Sequence, residues 1–459
     1  MATISSLGIG SGLDLSGLLT QLQTAEQAKL KPITDQKTEL QTKLSAYGRL
    51  QSSLTSLQTA IGKLQYAEAF QAVTTSVSGS GLTAAVSGSA VAGTYAVNVT
   101  QLAQAQSLAT SGVADQAADL GAGTLSISFP NSTKTALSID LTSGTHSLQD
   151  VRDAINAKGA GVTASIVNDG SSTPYRLVLT SSSGTQSAMS VSVAGGGGQL
   201  ASMFSYDSAS KTGAMTETVA AKDAALSVNG IGITSQSNVV SGAVQGVTLS
   251  LAATGASQVA VATDSASIKS AVTGFVDAYN SLQTTISGLT SYDSSTKKAG
   301  DLLGDSTLRS VQARLRSVMG GALSSGSLTR LSDLGITQQL GGQLKVDSTK
   351  LDNLVGNNLQ ALSDFFTGGT SGDGFAGRLG GALDGVLNTG GALDAATKGV
   401  NGQIKSLNDR YTQMNDSINQ TIARYRTQFS QLDSLISQMN STSTYLTQQF
   451  NALTAQTKG

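Results

Sequence analysis

The sequence predicts an α+β multidomain protein. Both chain ends form terminal coiled-coil helices and a helical bundle, and two β-rich domains are inserted in the middle of the chain. Three observations predict this. Apolar residues recur at heptad spacing near the start, apolar and small polar residues alternate through the middle, and heptad spacing returns up to the last residues.

Near the start, Leu40, Leu44, Tyr47, Leu50, Leu54, Leu57, Ile61 and Leu64 follow in steps of three and four, the spacing of one helix face. Pro32 lacks an N–H, so residues 14–30 and 34–66 read as two helices or one kinked helix. After Phe70, "VTTSVSGSGLTAAVSGSAVAGTYAVNVTQLA" alternates in the strand pattern. "GTLSISF", "TALSIDL", "GVTASIV", "YRLVLT" and "MSVSV" continue it. One helix interrupts, "SLQDVRDAINAKG", with Ser147 as N-cap, Asp150 closing a capping box and Gly159 as stop. The glycines 195–198 and the polar stretch to Met215 read as a surface loop or domain edge. A second β block, "AALSVNGIGITSQSNVVSGAVQGVTLSLAA", carries a hairpin turn at Asn229-Gly230.

Helix returns with Ile268, Val272, Phe275, Tyr279, Leu282, Ile286 and Leu289. Helical stretches at 305–320 and 348–366 flank the strand-like "GQLKVD", and a glycine-rich stretch, 368–399, holds the helix "FAGRLGGALDGVLN". The last seam runs through Ile404, Leu407, Tyr411, Met414, Ile418, Ile422, Tyr425, Phe429, Leu432, Ile436, Met439, Leu446, Phe450 and Leu453, with one stutter at 414–418–422 and the polar Ser443 in line. With heptad helices at both ends, the simplest packing is a hairpin that brings the ends together. The bundle seam is expected at Leu50, Leu54, Leu57, Ile61, Val272, Phe275, Tyr279, Leu282, Ile404, Leu407, Tyr411 and Ile418.

The extreme ends are different. Their apolar stripe is narrow, too little to offset the entropy of ordering such long segments. Gly8, Gly10, Gly12 and Gly17 each cost about 1 kcal/mol inside a helix. Residues 1–35 and 430–459 are therefore expected to lack order in the isolated chain and to fold on partner surfaces. The expected contacts are Leu7, Leu13, Leu18, Leu19, Leu22, Leu432, Ile436, Met439, Tyr445, Leu446, Phe450 and Leu453.

Composition narrows the function classes. Charged residues make up 12% and the net charge is −1, which points away from nucleic acid and from anionic membranes. With no Cys, thiolate catalysis and Cys-ligated metals are excluded. His146 is the single His, beside a helix cap, and no G-x-S-x-G elbow surrounds any serine. Gly372, Gly374 and Gly377 spell G-x-G-x-x-G, but a helical segment precedes them where a dinucleotide site needs a strand. Asp150 and Asp153 read as a solvated helix face. No catalytic, cofactor or metal site is expected. No apolar run reaches the roughly 18 residues of a membrane helix, and the opening has no basic, then apolar, cleaved-signal pattern.

Several stretches resemble a known family. "ISSLGIGSGLDLSGLLTQL", "LKPITDQKTELQTKLSAYGRLQSSL", "AGTYAVNVTQLAQAQSLAT", "LSVNGIGI", "SNVVSGAVQGVTLSL", "VDAYNSLQTTISGLT", "LLGDSTLRSVQ", "LGITQ" and "STSTYLTQQF" are similar to segments of the flagellar filament cap family (hook-associated protein 2), in order along nearly the whole chain. "VRDAINAKGAGVTASIV" with "YRLVLTSSSGT" resembles an insertion module shared among flagellins and hook-associated proteins.

The resemblance implies five segments. Residues 1–40 pair with 425–459 as a coiled coil, and 41–72 with 266–424 form a helical leg. Residues 73–105 with 222–265 form one β-rich plate domain, and 106–221 a second, variable one. It implies a structural, non-enzymatic protein without cofactors. Copies form a small ring, a pentamer in the cap, at the distal tip of the extracellular filament, where exported flagellin is retained, folded and inserted. The implied partners are further copies, flagellin, a hook-associated junction protein and an export chaperone on the C-terminal helix; neither nucleic acid nor membrane insertion is implied. Export would follow the flagellar type III route without a cleaved signal. Other readings stay open on the sequence: another flagellar axial protein, an added role as a surface adhesin through the β domains, and a hydrolase built around His146.

Overall fold

Residues from both ends of the chain make one helical unit, comprising the described residues up to Phe70 and from Ile268 onward, while Gln71–Ser267 make a second unit. This computed structural model describes residues 9, 11–195, 197–369 and 372–456. In chain order the helices are α1 (Leu15–Gln27), α2 (Lys31–Gly62), α3 (Leu148–Lys158), α4 (Gln199–Met203), α5 (Ser265–Thr290), α6 (Ser306–Gly320), α7 (Ser348–Asn357), α8 (Leu359–Thr367), α9 (Phe375–Leu387) and α10 (Ala392–Gln456).

In the helical unit, α2, α5, α6, α8, α9 and the start of α10 share one core. Leu50, Leu54, Leu57 and Ile61 of α2 are buried in it with Val272, Phe275, Tyr279 and Leu282 of α5. Phe70, Phe275, Phe365, Phe366 and Phe375 form an aromatic cluster; the Phe365 and Phe366 rings meet edge-on at 5.2 Å. Pro32 sits in the first turn of α2, where a missing N–H breaks no helical bond, so the chain passes from α1 to α2 through one 3₁₀ turn, Ala28–Leu30. The helix expected over 34–66 ends at Gly62, and a 3₁₀ turn at Ala67–Phe70 carries Phe70 into the core. The helix expected over 348–366 is two helices, because Asn358 leaves the helical region at φ −145°.

The second unit holds two β-rich cores. One contains a five-stranded sheet, in order Thr212–Gly213, Tyr206–Asp207, Ser190–Ala194, Gly123–Ser128 and Leu137–Leu141, and a four-stranded sheet, in order Thr216–Val219, Ala105–Ala109, Tyr175–Ser183 and Val162–Asn168. Leu148, Val151 and Ile155 of α3 complete this core. α3 has the expected capping box: the Asp150 N–H donates to Ser147 Oγ, and the Ser147 N–H donates to the Asp150 carboxylate at 2.9 Å.

The other core lies between a five-stranded sheet, in order Val73–Ser78, Gly255–Thr263, Gly93–Gln101, Ala224–Val228 and Ile231–Ser235, and a three-stranded sheet, in order Val239–Val244, Val247–Leu251 and Leu82–Val86. Asn229 and Gly230 join two neighbouring strands with φ 51° and 84°, the two left-handed residues that a tight hairpin turn requires.

Two expectations are corrected. The stretch from Gly195 to Met215 is not simply a surface loop. It contains α4 and a small hairpin, and Leu200, Met203, Phe204, Tyr206 and Met215 are buried in the core around α3. The terminal regions expected to lack order are helical over Leu15–Gln27 and through Gln456. The physical reason is that each supplies part of the other's missing partner: α1 packs on α10, Leu15 and Leu19 are buried, and the Ser11 N–H donates to Asp433 Oδ1 at 2.8 Å.

Phe204→Ala is expected to destabilise the second unit by about 3–5 kcal/mol, the cost of emptying a large core site. Urea unfolding of the full chain, followed by near-UV circular dichroism, measures it; a surface-loop residue would show almost no change.

Candidate assembly surfaces

The candidate surfaces lie on the helical unit and grow from the seam outward. α2 is held to the start of α6 by one polar hub. Asp305 is the N-cap of α6 and accepts from the Leu308 N–H at 2.9 Å, from Tyr47 Oη at 2.8 Å and from Lys43 Nζ at 2.8 Å. Its side chain is only 5% exposed. Burial pushes the carboxyl pKa up, but the Lys43 ammonium, the Leu308 N–H and the Tyr47 hydroxyl outweigh it, so the net shift is downward. The same bond to Asp305 raises the pKa of Lys43, and burial followed by Asp305 raises that of Tyr47.

Beyond the core α10 has fewer neighbours, and the expected bundle seam thins out. Ile404 is half-buried, Leu407 and Ile418 are buried, and Tyr411 is 38% exposed. The four α2 residues and four α5 residues of that expected seam are all brought into the core, as described above. Tyr411 is not: the last described α10 residue packed on that core is Ile404, and Tyr411 lies beyond it with its side chain exposed.

The residues expected to contact partners separate by depth. Leu19 is buried within the chain, Leu22 and Ile436 are half-buried, and Leu13, Leu18 and Leu432 are exposed. Met439, Tyr445, Leu446, Phe450 and Leu453 are exposed, Met439 and Phe450 by 63% and 66%. Leu7 lies outside the described residues. Leu435, a residue missed in the sequence reading, joins Met439, Leu446 and Phe450 along a shallow recess of about 590 Å³. Its i+4 spacing from Met439 was the available signal. From residue 434 to 457 no side chain carries a charge. The end of α10 is thus a charge-free helix with an uncovered apolar stripe.

The sites weighed for chemistry look different. The His146 ring makes no hydrogen bond among the described residues; its Nε2 is buried and unpartnered, while its backbone N–H donates to Asp119 Oδ1 at 2.9 Å. No serine relay is assembled there. Gly374 is the N-cap of α9 after α8 and its turn, and a Cβ there would fall 2.2 Å from the Phe366 carbonyl oxygen, so close packing accounts for this glycine. No described helix is long and apolar enough to cross a membrane.

Asp305→Ala is expected to cost about 2–4 kcal/mol, from a lost N-cap and unsatisfied partners. In the parent chain the Asp305 contribution is complete above the usual carboxylate range and is lost as pH falls through its depressed pKa. The Lys43 contribution is complete below the usual lysine value and is lost as pH rises through its raised pKa. Urea midpoints measured against pH should therefore fall less steeply at the acid end in the variant; parallel profiles would contradict the hub.

Comparison with known proteins adds relatives to this geometry. The model of the flagellar hook-associated protein 2 C-terminus matches residues 221–441, that of its N-terminus matches 11–106, and the flagellin hook IN motif matches 124–183. The chain is 40% identical over 464 residues to flagellar hook-associated protein 2 of Escherichia coli (strain K12), with 98% of each chain covered. It is 31% identical over 471 residues to the A-type flagellar hook-associated protein 2 of Pseudomonas aeruginosa, with 97% of each covered. The crystal structure of the D1-D2-D3 domains of the Escherichia coli flagellar cap protein FliD is similar, with a TM-score of 0.67 and 37% identity, covering 78% of this chain and 99% of that one.

Proposed function

The chain belongs to the flagellar hook-associated protein 2 family, and from that premise we propose that it is a structural cap at the distal end of the bacterial flagellar filament. Copies form a small ring, a pentamer in the cap, that retains exported flagellin and promotes its folding and insertion into the growing filament. The observation that carries this reading is the uncovered apolar stripe on the charge-free end of α10. A helix face of that kind gains little until another helix lies on it.

Residues 1–40 and 425–459 form the axial contact segment of the cap. Residues 41–72 with 266–424 are the leg, and 73–105 with 222–265 and 106–221 are the plate domains. The stripe, from Leu432 to Leu453 with Leu13 and Leu18, meets neighbouring axial subunits: further copies, flagellin and the hook-associated junction protein. Before export by the type III route an export chaperone covers the same face. No covalent step is involved; the cap acts as a template and lid.

Because less apolar area must be broken per step, a polar position in the seam suits contacts that shift as the filament grows. Ser443→Leu is therefore expected to slow filament elongation, read from filament length against time; unchanged or faster growth would count against the sliding contact. Electron microscopy of the purified protein should show small closed rings, and cells lacking it should release flagellin unpolymerised. Open fibres in the first experiment would favour a filament or junction subunit instead.

A further inference from the structure

Among the described residues, no buried apolar side chain belongs to both β-rich cores of the second unit. The chain passes between the cores twice, at Gln104 and at Lys222, and the two passages lie side by side. The Gln104 N–H donates to the Lys222 carbonyl at 2.8 Å, and the Lys222 N–H donates to the Gln104 carbonyl at 3.1 Å. The strands that leave this crossing are irregular. Their ladders shift register between Ala105 and Ser107, between Glu217 and Val219, and between Ala225 and Leu226. Such bulges bend and twist a strand locally, so the unit is built to bend at the crossing.

A second contact spans the same seam. The end of the strand Tyr175–Ser183 and the turn after it belong to the core around α3, and they lie on Asp223 and Gln236 of the other core. Asp223 accepts from the Thr185 N–H at 2.6 Å and from Thr185 Oγ1 at 2.9 Å. The Gln236 side chain accepts from the Gln186 N–H at 2.9 Å, and the Gln236 carbonyl accepts from Ser183 Oγ at 2.9 Å. Gly184 permits this approach: it has φ 94°, and a Cβ there would fall 2.6 Å from the Gln236 carbonyl oxygen. Asp223 and Gln236 are half-buried, and Thr185 and Gln186 are exposed. Water can therefore replace these bonds at modest net cost. A polar contact of this kind leaves two cores free to move, where a large apolar one would fuse them.

We propose that residues 183–187 are a latch between the two β-rich cores. Closed, the latch fixes the angle between them. Released, it lets the cores swing about the Gln104–Lys222 crossing while each keeps its own apolar interior. The bulged strands supply the bend, and the turn on Asp223 and Gln236 decides whether the bend is used.

The chain has no Cys, so a pair of spin labels can be placed cleanly. In the full chain, Lys158→Cys on α3 and Thr83→Cys on the strand Leu82–Val86, both exposed positions, put one label on each core. Pulsed electron paramagnetic resonance reads the distance between them. The labelled parent is expected to show one narrow distance. Asp223→Ala, which removes two bonds across the seam, should raise the population at other distances by about tenfold or more. Gly184→Ala, which wedges the turn off Gln236, should move the main distance itself. Near-UV circular dichroism checks that the variants stay folded, and if Gly184→Ala does not, Asp223→Ala decides. An unchanged narrow distance in a folded variant would mean that the crossing fixes the angle without the latch. A broad distribution already present in the parent would mean that the turn does not hold the cores. Either result overturns the proposal.

Discussion

The fold depends on closure between residues far apart in sequence. α2 ends before the whole β-rich unit is made, yet Leu50, Leu54, Leu57 and Ile61 are buried against α5 and α9, which follow that unit. Bringing such distant segments together carries a loop-closure cost, though it grows slowly with the length inserted. Two things offset it here: an aromatic cluster at the base of the seam and the Asp305 hub that fixes α2 to the start of α6. With that closure in place, both chain ends leave the same unit, and α1 lies on α10.

What leaves the core is deliberately under-covered in physical terms. α10 begins among many neighbours, continues with mainly α2 and α1 beside it, and ends with an exposed stripe. Apolar burial therefore falls along one continuous helix, and so does the local cost of opening it. From residue 434 to 457 no side chain carries a charge, so a contact there would depend on shape and apolar area rather than on ion pairs. Such contact is little affected by salt.

Much of this was legible because it rests on local rules. The α2 and α5 seams announce themselves through spacing, the α3 cap through Ser147 and Asp150, and the hairpin through Asn229-Gly230. Other features depend on tertiary packing. Leu200, Met203 and Phe204 do stand at helix-face spacing, but the run is a single turn among glycines and small polar residues, too short to mark a core segment by pattern alone. Asn358 breaks a helix that periodicity alone would continue. The terminal helices were expected to lack order because their narrow stripe was set against the entropy of ordering both long segments. At the candidate surface the stripe was legible from its spacing, whereas Leu19 turned inward because α1 has α10 to lie on.

On the proposed function, the end of α10 is a surface that another molecule completes. Amide hydrogen exchange on the full chain, compared between dilute monomer and assembled protein, tests it most directly. Protection across residues 432–454 is expected to rise strongly on assembly, while α2, α5 and α9 are protected in both states. Equal protection of 432–454 in the two states would contradict it.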